Sequence, residues 1–301
     1  MKFALECANC ILHQVKKVAE IEKLDSERFD LLKEVLNAIY NQDLKTKTSP
    51  EIYGIVWQTF LSHFDGRDLY KEIRKKYNQK FLTYVPELKK TIQNSKNPLK
   101  TALATAILGN MLDLAIQRNF SIDELLESIK TIENTPFGID NSEQLLSDLS
   151  KSKTVLYLGD NCGEIVFDKL FIQTIKKQYP SIQIFYGVRG KPAVNDVILG
   201  DALQVHMQDF STIVENGDGS LGTVIDRCSE EFKNLYNTVD MVIAKGQGNY
   251  ESLSETPRKS LYYLLLTKCQ LIANELHVDK MSIVCALDKT IKKAKTTTLA
   301  D

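Results

Sequence analysis

Hydrophobic residues in the first half of the chain recur with the spacing of amphipathic helices. From Arg28 to Tyr40 the apolar positions fall on one broad helical face. Ser49-Pro50-Glu51 is typical of a helix start, because proline suits the first turn. Further helical signals are the apolar, small-residue stretch 98–115 and a capping box at 121–124. No segment before residue 150 alternates with a period of two, which predicts an all-α domain over residues 1–150.

The second half consists of short apolar runs separated by helical segments. The first run, 153–158, is ended by Gly159 and is followed by a helical pattern over 165–177. Strands that alternate with helices indicate an α/β domain with a doubly wound parallel sheet over residues 151–301. The stretch 208–223 is interpreted as an ordered loop, and 292–301 as a frayed terminus. The predicted strands cover 153–158, 182–188, 239–244, 262–266 and 282–286.

Composition narrows the class of protein. The 301 residues are 43% hydrophobic and 26% charged with a formal net charge of −1, so no basic excess favours a nucleic-acid partner. No apolar run resembles a signal peptide or a membrane span. The six cysteines lack the spacing of a disulfide framework and are interpreted as reduced. These features predict a soluble, cytoplasmic protein without a membrane partner, and they leave its oligomeric state open.

The first polar motif, Gly159-Asp160-Asn161-Cys162-Gly163-Glu164, directly follows the first predicted strand. Ligands of open α/β sheets bind beyond the carboxyl ends of the strands. A carboxylate beside an amide supplies oxygen ligands suited to a hard divalent cation such as Mg²⁺ or Mn²⁺. The alternative is an ordinary turn that caps the next helix, since the same residue types favour both.

The second motif, residues 187–196, follows the second predicted strand. A right-handed crossover places this strand end next to the first motif, where Asp196 can complete a carboxylate–amide–carboxylate set. Arg189 and Lys191 are candidates for contact with an anionic substrate. A solvated Arg-Gly-Lys turn and a helix start at Asn195-Asp196 are the ordinary alternatives.

The third motif, residues 244–251, follows the third predicted strand. Gly246 and Gly248 expose backbone N–H groups, and Lys245 offers a point charge to a phosphate. The order of residues differs from a Walker A loop, because the lysine precedes the glycines. Three such motifs at three parallel strand ends favour one shared site over three unrelated turns.

Two further groups are weighed against ordinary packing. Cys7-x-x-Cys10 with His13 resembles part of a zinc site, but structural zinc takes four ligands, and cysteines packed on a helix are the favoured interpretation. Gly109 and Asn110 are placed inside a long helix, where close packing or a contact with the site explains the glycine. His63, His206 and His277 receive no role.

The three motifs resemble those of a known family. Asp160-Asn161-Cys162-Gly163-Glu164 is similar to the Asp-Asn-Ala-Gly-Glu motif of the damage-control phosphatases, a metal-dependent family related to the human acidic-residue methyltransferase protein. Residues 189–196 and 245–251 resemble the family's second and third motifs. Smaller matches are Gly109-Asn110 with Asp113, Asp68-x-Tyr70, Lys268-Cys269 and the Cys7-x-x-Cys10 of the mostly prokaryotic branch.

This resemblance implies an all-helical N-terminal region joined to a three-layer αβα Rossmann-like domain with a mainly parallel sheet. It implies a divalent metal, Mn²⁺ first with Co²⁺, Ni²⁺ or Mg²⁺ as alternatives. The implied activity is hydrolysis of phosphomonoesters of small metabolites, namely sugar phosphates or damaged and side-product phosphometabolites. By motif position the metal ligands are Asp160, Asn161 and Asp196, and Glu164 and Lys245 complete the catalytic set. The predicted substrate-binding residues are Asn110, Glu164, Arg189, Lys245, Gly246, Gly248 and Asn249.

Several mechanisms and activities remain open. Glu164 either orients the nucleophile or protonates the leaving group, and the nucleophile is either water or Asp160. A methyltransferase dependent on S-adenosylmethionine is one rival activity, although the second strand ends in Arg189 where an acidic residue is expected. A sensor that binds phosphometabolites without catalysis would need the same residues.

Overall fold

The computed structural model describes residues 1–111, 127–129, 131, 135–256, 258 and 260–291. The predicted capping box at 121–124, Asp113 and the terminal stretch 292–301 lie outside these ranges.

Helices make up most of the region before residue 111. Helix α3 starts as its sequence indicates, because the Thr48 side chain accepts from the Glu51 amide and the Glu51 carboxylate accepts from the Thr48 amide. The helices are α1 (Glu6–Ile21), α2 (Arg28–Tyr40), α3 (Ser49–His63), α4 (Lys71–Leu82), α5 (Val85–Asn94) and α6 (Pro98–Gly109).

Strands and helices alternate from residue 139 onward. The strands are β1 (Ile139–Asp140), β2 (Thr154–Leu158), β3 (Gln183–Val188), β4 (Thr212–Glu215), β5 (Met241–Lys245), β6 (Leu261–Leu266) and β7 (Ile283–Leu287). The helices are α7 (Ser142–Leu149), α8 (Glu164–Gln178), α9 (Leu199–Gln204), α10 (Glu230–Thr238), α11 (Gly246–Leu253) and α12 (Gln270–Leu276).

The strands form one seven-stranded sheet in the order β1-β7-β6-β5-β2-β3-β4. Strands β6, β5, β2, β3 and β4 run parallel, whereas β7 is antiparallel to β6. The chain builds outward from β2 to β4 and then returns to the other side of β2 with β5. The topological switch point therefore lies at the carboxyl ends of the neighbouring strands β2 and β5. Ligands of open α/β sheets bind at such a point.

Side chains of each strand alternate between two apolar layers. On β2, Val155 and Tyr157 pack with α6 and α8, whereas Leu156 and Leu158 pack with α10, α11 and α12. Helices α1, α2 and α3 bury a separate apolar cluster around Trp57 and Phe60. The predicted α/β class, with a mainly parallel sheet between helical layers, is confirmed.

Three local predictions were wrong. The stretch 208–223 contains β4, a short edge strand that is only half-buried and therefore lacks a strong apolar signal. The region before residue 150 contains the two-residue strand β1, which is too short to show a period. Helix α6 ends at Gly109, so Asn110 caps it instead of lying inside a long helix. The division into domains at residue 150 stays a prediction.

Within the described ranges, no helix is both long enough and apolar enough to cross a membrane.

Candidate functional site

The three polar motifs follow three adjacent strands. Strand β2 lies between β3 and β5, so the loops after these strands meet at one edge of the sheet. The loop after β2 and the start of α11 after β5 flank the topological switch point. The parallel topology thus brings together residues that are distant in the sequence.

The first two motifs are joined by backbone contacts. Asn161 and Asp196 form an isolated antiparallel bridge, and the Cys162 amide donates to the Asn195 carbonyl at 2.8 Å. The Val197 amide donates to the Asp160 carbonyl at 2.9 Å. The predicted metal ligands Asp160, Asn161 and Asp196 are all buried and lie on this pair of joined loops.

Glu164 and Asn110 extend the cluster. Asn110 Nδ2 donates to Asp160 Oδ2 and to Glu164 Oε2, each at 2.9 Å. Asn161 Nδ2 donates to the same two oxygens, at 2.6 Å and 3.3 Å. Asn110 therefore reaches the first motif from the end of α6, which is the site contact that the sequence left open beside ordinary packing.

Lys245 differs from its expected role. Its ammonium is fully buried and donates to Glu164 Oε1 at 2.6 Å, to Asp168 Oδ1 at 2.5 Å and to the Ala106 carbonyl at 2.9 Å. An ammonium has three donors, and these three acceptors occupy all of them. Burial alone lowers the pKa of Lys245, but Asp168 and Glu164 outweigh it and raise the pKa above its ordinary value. Lys245 thus holds carboxylates instead of presenting a free charge to a phosphate.

Arg189 also points inward, which excludes the solvated turn. Its side chain is buried, and its Nε donates to Asp196 Oδ2 at 2.7 Å. Its other nitrogens reach Thr223 Oγ1 at 3.3 Å and the Gly159 carbonyl at 3.4 Å. The guanidinium therefore orients Asp196 and ties it to the loop after β2, whereas Lys191 is exposed.

The glycines of the third motif allow close approaches. Gly246 has φ +77°, and a Cβ added there would lie 1.9 Å from Asp160 Oδ2. Gly248 lies against the backbone of Gly222, where an added Cβ on Gly222 would meet the Gly248 carbonyl oxygen at 2.2 Å. Asn249 Nδ2 donates to the Gly159 and Lys245 carbonyls at 3.2 Å and 2.7 Å. This predicted substrate-binding residue thus fastens β5 to the loop after β2.

The cluster carries more negative than positive buried charge. Its buried carboxylates are Asp160, Glu164, Asp168 and Asp196, and its buried cations are Lys245 and Arg189. Burial and then the charges of Glu164 and Asp196 raise the pKa of Asp160 well above its ordinary value, with Lys268 and Arg189 opposing them.

A hard divalent cation fits this chemistry, because carboxylate and amide oxygens are its preferred donors and its charge offsets the excess. Asn110 Oδ1 is buried and has no hydrogen-bond partner within the described part of the chain. The cluster thus also contains a spare oxygen acceptor.

Comparison with known proteins assigns the chain to a protein family. Residues 3–284 match the damage-control phosphatase ARMT1-like domain. The chain belongs to this family. It is 36% identical to uncharacterized protein MJ0202 of Methanocaldococcus jannaschii, covering 93% of each chain. It is 28% identical to damage-control phosphatase PH1575 of Pyrococcus horikoshii, covering 96% of this chain and 99% of the relative. The crystal structure of a DUF89 family protein from that organism superposes with a TM-score of 0.86 at 25% identity, covering 96% of this chain and 99% of that one.

Two buried residues of this ARMT1-like domain escaped the sequence analysis. Asp168 accepts from Lys245, Tyr157 and Tyr186, the tyrosines at 2.8 Å and 3.0 Å, and burial raises its pKa to about 6 although Lys245 opposes the rise. Thr223 Oγ1 accepts from Arg189 and donates to Asn249 Oδ1 at 2.8 Å. The signal for Asp168 was a carboxylate one helical turn after Glu164 on an otherwise apolar face.

The cysteine pair of the domain lies apart from this cluster. Cys7 and Cys10 both lie on α1, and Cys7 Sγ lies 3.2 Å from Ser49 Oγ. Cys7 is partly buried, whereas Cys10 is exposed and is not packed as the favoured interpretation predicts. In the ranges that the structure describes, no three His, Cys, Asp or Glu side chains are placed to hold a metal ion together. The predicted Asp-Asn-Asp set contains only two such side chains and relies on an amide for its third ligand.

Glu251 closes the third motif but faces the helical region, near Ser49 of α3. Burial raises its pKa to about 7 from the usual 4.5, although the terminal amine and Ser49 oppose the rise. Folding therefore takes up a proton between these values, and this contribution to stability is lost as the pH rises through about 7.

We expect Glu251→Gln to flatten the decline in unfolding free energy between about pH 5 and about pH 8, by on the order of 2–3 kcal/mol. Urea titrations of the wild type and Glu251→Gln at the two pH values measure the unfolding free energies. The same decline between the two pH values in both proteins would contradict this expectation.

Proposed function

We propose that this chain is a metal-dependent phosphatase acting on phosphomonoesters of small metabolites, with its centre between the loops after β2 and β3 and the start of α11. Family membership makes phosphatase the class of activity. The observation that carries the rest is the joined pair of loops at the switch point, where Asp160, Asn161 and Asp196 lie within an excess of buried carboxylate.

Asp160, Asn161 and Asp196 would hold the metal in this proposal. The oxygen donors and the excess of buried carboxylate favour a divalent cation, and the family resemblance puts Mn²⁺ first, with Co²⁺, Ni²⁺ and Mg²⁺ as alternatives. When bound, a divalent cation polarises a phosphoryl oxygen and lowers the pKa of water. Arg189 fixes the orientation of Asp196 through its 2.7 Å contact.

Glu164 is proposed to orient the attacking water. Both of its oxygens accept hydrogen bonds in this structure, Oε1 from Lys245 and Oε2 from Asn110 and Asn161. A carboxylate held this firmly keeps a fixed direction towards a neighbouring water. Lys245 then acts on the reaction through Glu164, which is a change from the direct contact with phosphate that the sequence favours.

The anionic substrate would bind at the helix starts. Gly246, the first residue of α11, lies against Asp160, and Glu164, the first residue of α8, shares the Asn110 amide with Asp160. Helix N-termini attract phosphate through their N–H groups and dipole. Gly246 leaves the first residue of α11 free of side-chain bulk towards Asp160, and Gly248 allows the next part of α11 to lie close to the backbone of Gly222. We therefore propose these glycines as a phosphate contact, with Asn249 supporting them from behind.

The cysteines support a proposal for the branch of the family and for the cellular compartment of the protein. Cys7 and Cys10 match the pair of the mostly prokaryotic branch, and we place the chain there. All six cysteines are free, which suits a reducing compartment such as the cytoplasm.

The proposal is tested with a panel of sugar phosphates and other phosphomonoesters, assayed for phosphate release after chelation and after adding back each of the four metals. We expect release only with metal and an Mn²⁺ preference. No release with any metal, together with methyl transfer from a labelled S-adenosylmethionine, would overturn the assignment. Saturable binding of the phosphoesters without turnover would favour the sensor instead.

A further inference from the structure

One helix of the helical region, α4, contacts both of the loops that carry the proposed metal ligands. Arg74 and Asn78 lie four residues apart on α4, so they share one helical face, and both are buried. Each makes one hydrogen bond with a backbone atom of the loops that carry Asp160, Asn161 and Asp196. The family motifs explain neither residue.

Asn78 holds the loop after β2. Its Oδ1 accepts from the Gly163 amide at 2.7 Å, and its Nδ2 donates to Gln204 Oε1 at 3.0 Å. Gly163 has φ +75° and lies two residues after Asn161, so the contact fixes the turn that leads from the proposed ligand into α8. Without Asn78 this buried amide would lose its acceptor.

Arg74 holds the loop after β3. Its Nη1 donates to the Val194 carbonyl at 3.2 Å and to Asp68 Oδ1 at 3.0 Å. Its Nη2 donates to Asp68 Oδ2, and its Nε donates to Asp201 Oδ2 at 2.9 Å. Val194 has φ +47°, a left-handed conformation that is costly for a β-branched residue and must be held by its surroundings. Val194 lies two residues before Asp196, so this conformation sets the direction in which Asp196 leaves the turn.

We propose that Arg74 and Asn78 are positioning residues of the metal site: α4 holds each of the two joined loops in its turn conformation and thereby supports the placement of Asp160, Asn161 and Asp196. This inference rests on the proposed function for its chemistry. The claim that α4 holds the two loops does not rest on it, because the hydrogen bonds of Arg74 and Asn78 to these loops are present whatever the site binds.

Asn78→Leu tests the first contact, since it keeps the size of the side chain and removes the acceptor for the Gly163 amide. Asn78→Asp retains an acceptor and serves as the conservative rescue. Gln204→Ala is the matched control, because it removes the other partner of Asn78 and leaves the contact with Gly163. Arg74→Lys tests the second contact with the charge retained, and it also covers the case in which Asn78→Leu does not fold.

The first readout is hydrogen exchange by mass spectrometry on metal-free protein. We expect Asn78→Leu to speed exchange in peptides covering 159–163, and Arg74→Lys in those covering 189–197, with Gln204→Ala and Asn78→Asp close to wild type. Unchanged exchange in both loops would overturn the proposal.

The second readout is Mn²⁺ affinity, measured by electron paramagnetic resonance with Mn²⁺ alone. We expect about a 10–100-fold loss for Asn78→Leu and Arg74→Lys, the range seen when partners of metal ligands are removed, and rescue by Asn78→Asp. Looser loops with unchanged affinity would overturn the positioning role. If wild type binds no Mn²⁺ and releases no phosphate with any metal, the proposed function fails, and hydrogen exchange alone then decides whether α4 holds the loops.

Discussion

Replacing Lys245 by methionine should lower the free energy of unfolding by about 3–5 kcal/mol and abolish metal-stimulated phosphate release. The ammonium is the shared partner of Glu164 and Asp168, at 2.6 Å and 2.5 Å, in a fully buried position. Methionine fills a similar volume but leaves two carboxylates without their cation. The loss is large beside a typical domain stability of about 5–15 kcal/mol.

Urea titration followed by circular dichroism measures the stability change, and phosphate release from the best panel substrate measures the activity. The matched control is Lys233→Met, which removes a lysine from an exposed pair with Glu230 at 2.8 Å and should change little. If Lys245→Met were as stable as Lys233→Met, the buried ion pairs of Lys245 with Glu164 and Asp168 would not stabilise this part of the structure. If it kept full activity, the proposed role of Lys245 in fixing Glu164 would be wrong.

The second large effect is expected at Gly246. Alanine at this position would be unfavourable for two reasons: the backbone has φ +77°, and the new Cβ would lie 1.9 Å from Asp160 Oδ2. The first effect costs about 1–2 kcal/mol in any left-handed position. The second forces Asp160 or the start of α11 to move, and a displacement of about 1 Å at a reacting centre can lower the rate by about 100-fold.

Gly66 separates these two effects. It has the same φ of +77°, and a Cβ added to it would meet no atom within 4 Å. We therefore expect Gly66→Ala to lose about 1–2 kcal/mol of stability with normal activity. Gly246→Ala should lose more stability and at least about 100-fold in phosphate release. Equal activity in the two variants would show that Asp160 is not at the centre of the site.

The strands that carry the site could be predicted because they are buried on both faces. Strand β2 and its neighbours β3 and β5 read as continuous apolar runs ended by polar residues, so the edge where Asp160, Asp196 and Lys245 meet followed from parallel topology. Edge strand β4 and the short β1 gave no such signal. Their formation depends on pairing with β3 and β7, which local pattern does not encode.

The direction of the charged side chains could not be predicted. A lysine or arginine beside glycines indicates an exposed contact with an anion, and the sequence predicts such a contact for both Lys245 and Arg189. Both are buried because carboxylates meet them: Asp168 of α8 accepts from Lys245, and Asp196, seven residues further along the same loop, accepts from Arg189. For the same reason the roles of Arg74 and Asn78 could not be predicted, because their contacts with the two loops are made to backbone atoms more than eighty residues away in the sequence.

The most direct test of the central claim is Mn²⁺ binding to metal-stripped protein, compared between wild type, Asp160→Asn, Asp196→Asn and the exposed control Asp226→Asn. Equilibrium dialysis with metal analysis gives the affinity, and phosphate release is measured on the same samples. We predict that wild type and Asp226→Asn bind Mn²⁺ and recover activity, whereas Asp160→Asn and Asp196→Asn lose both. Undiminished Mn²⁺ affinity and activity in Asp160→Asn and Asp196→Asn would contradict the assignment of the metal to these loops.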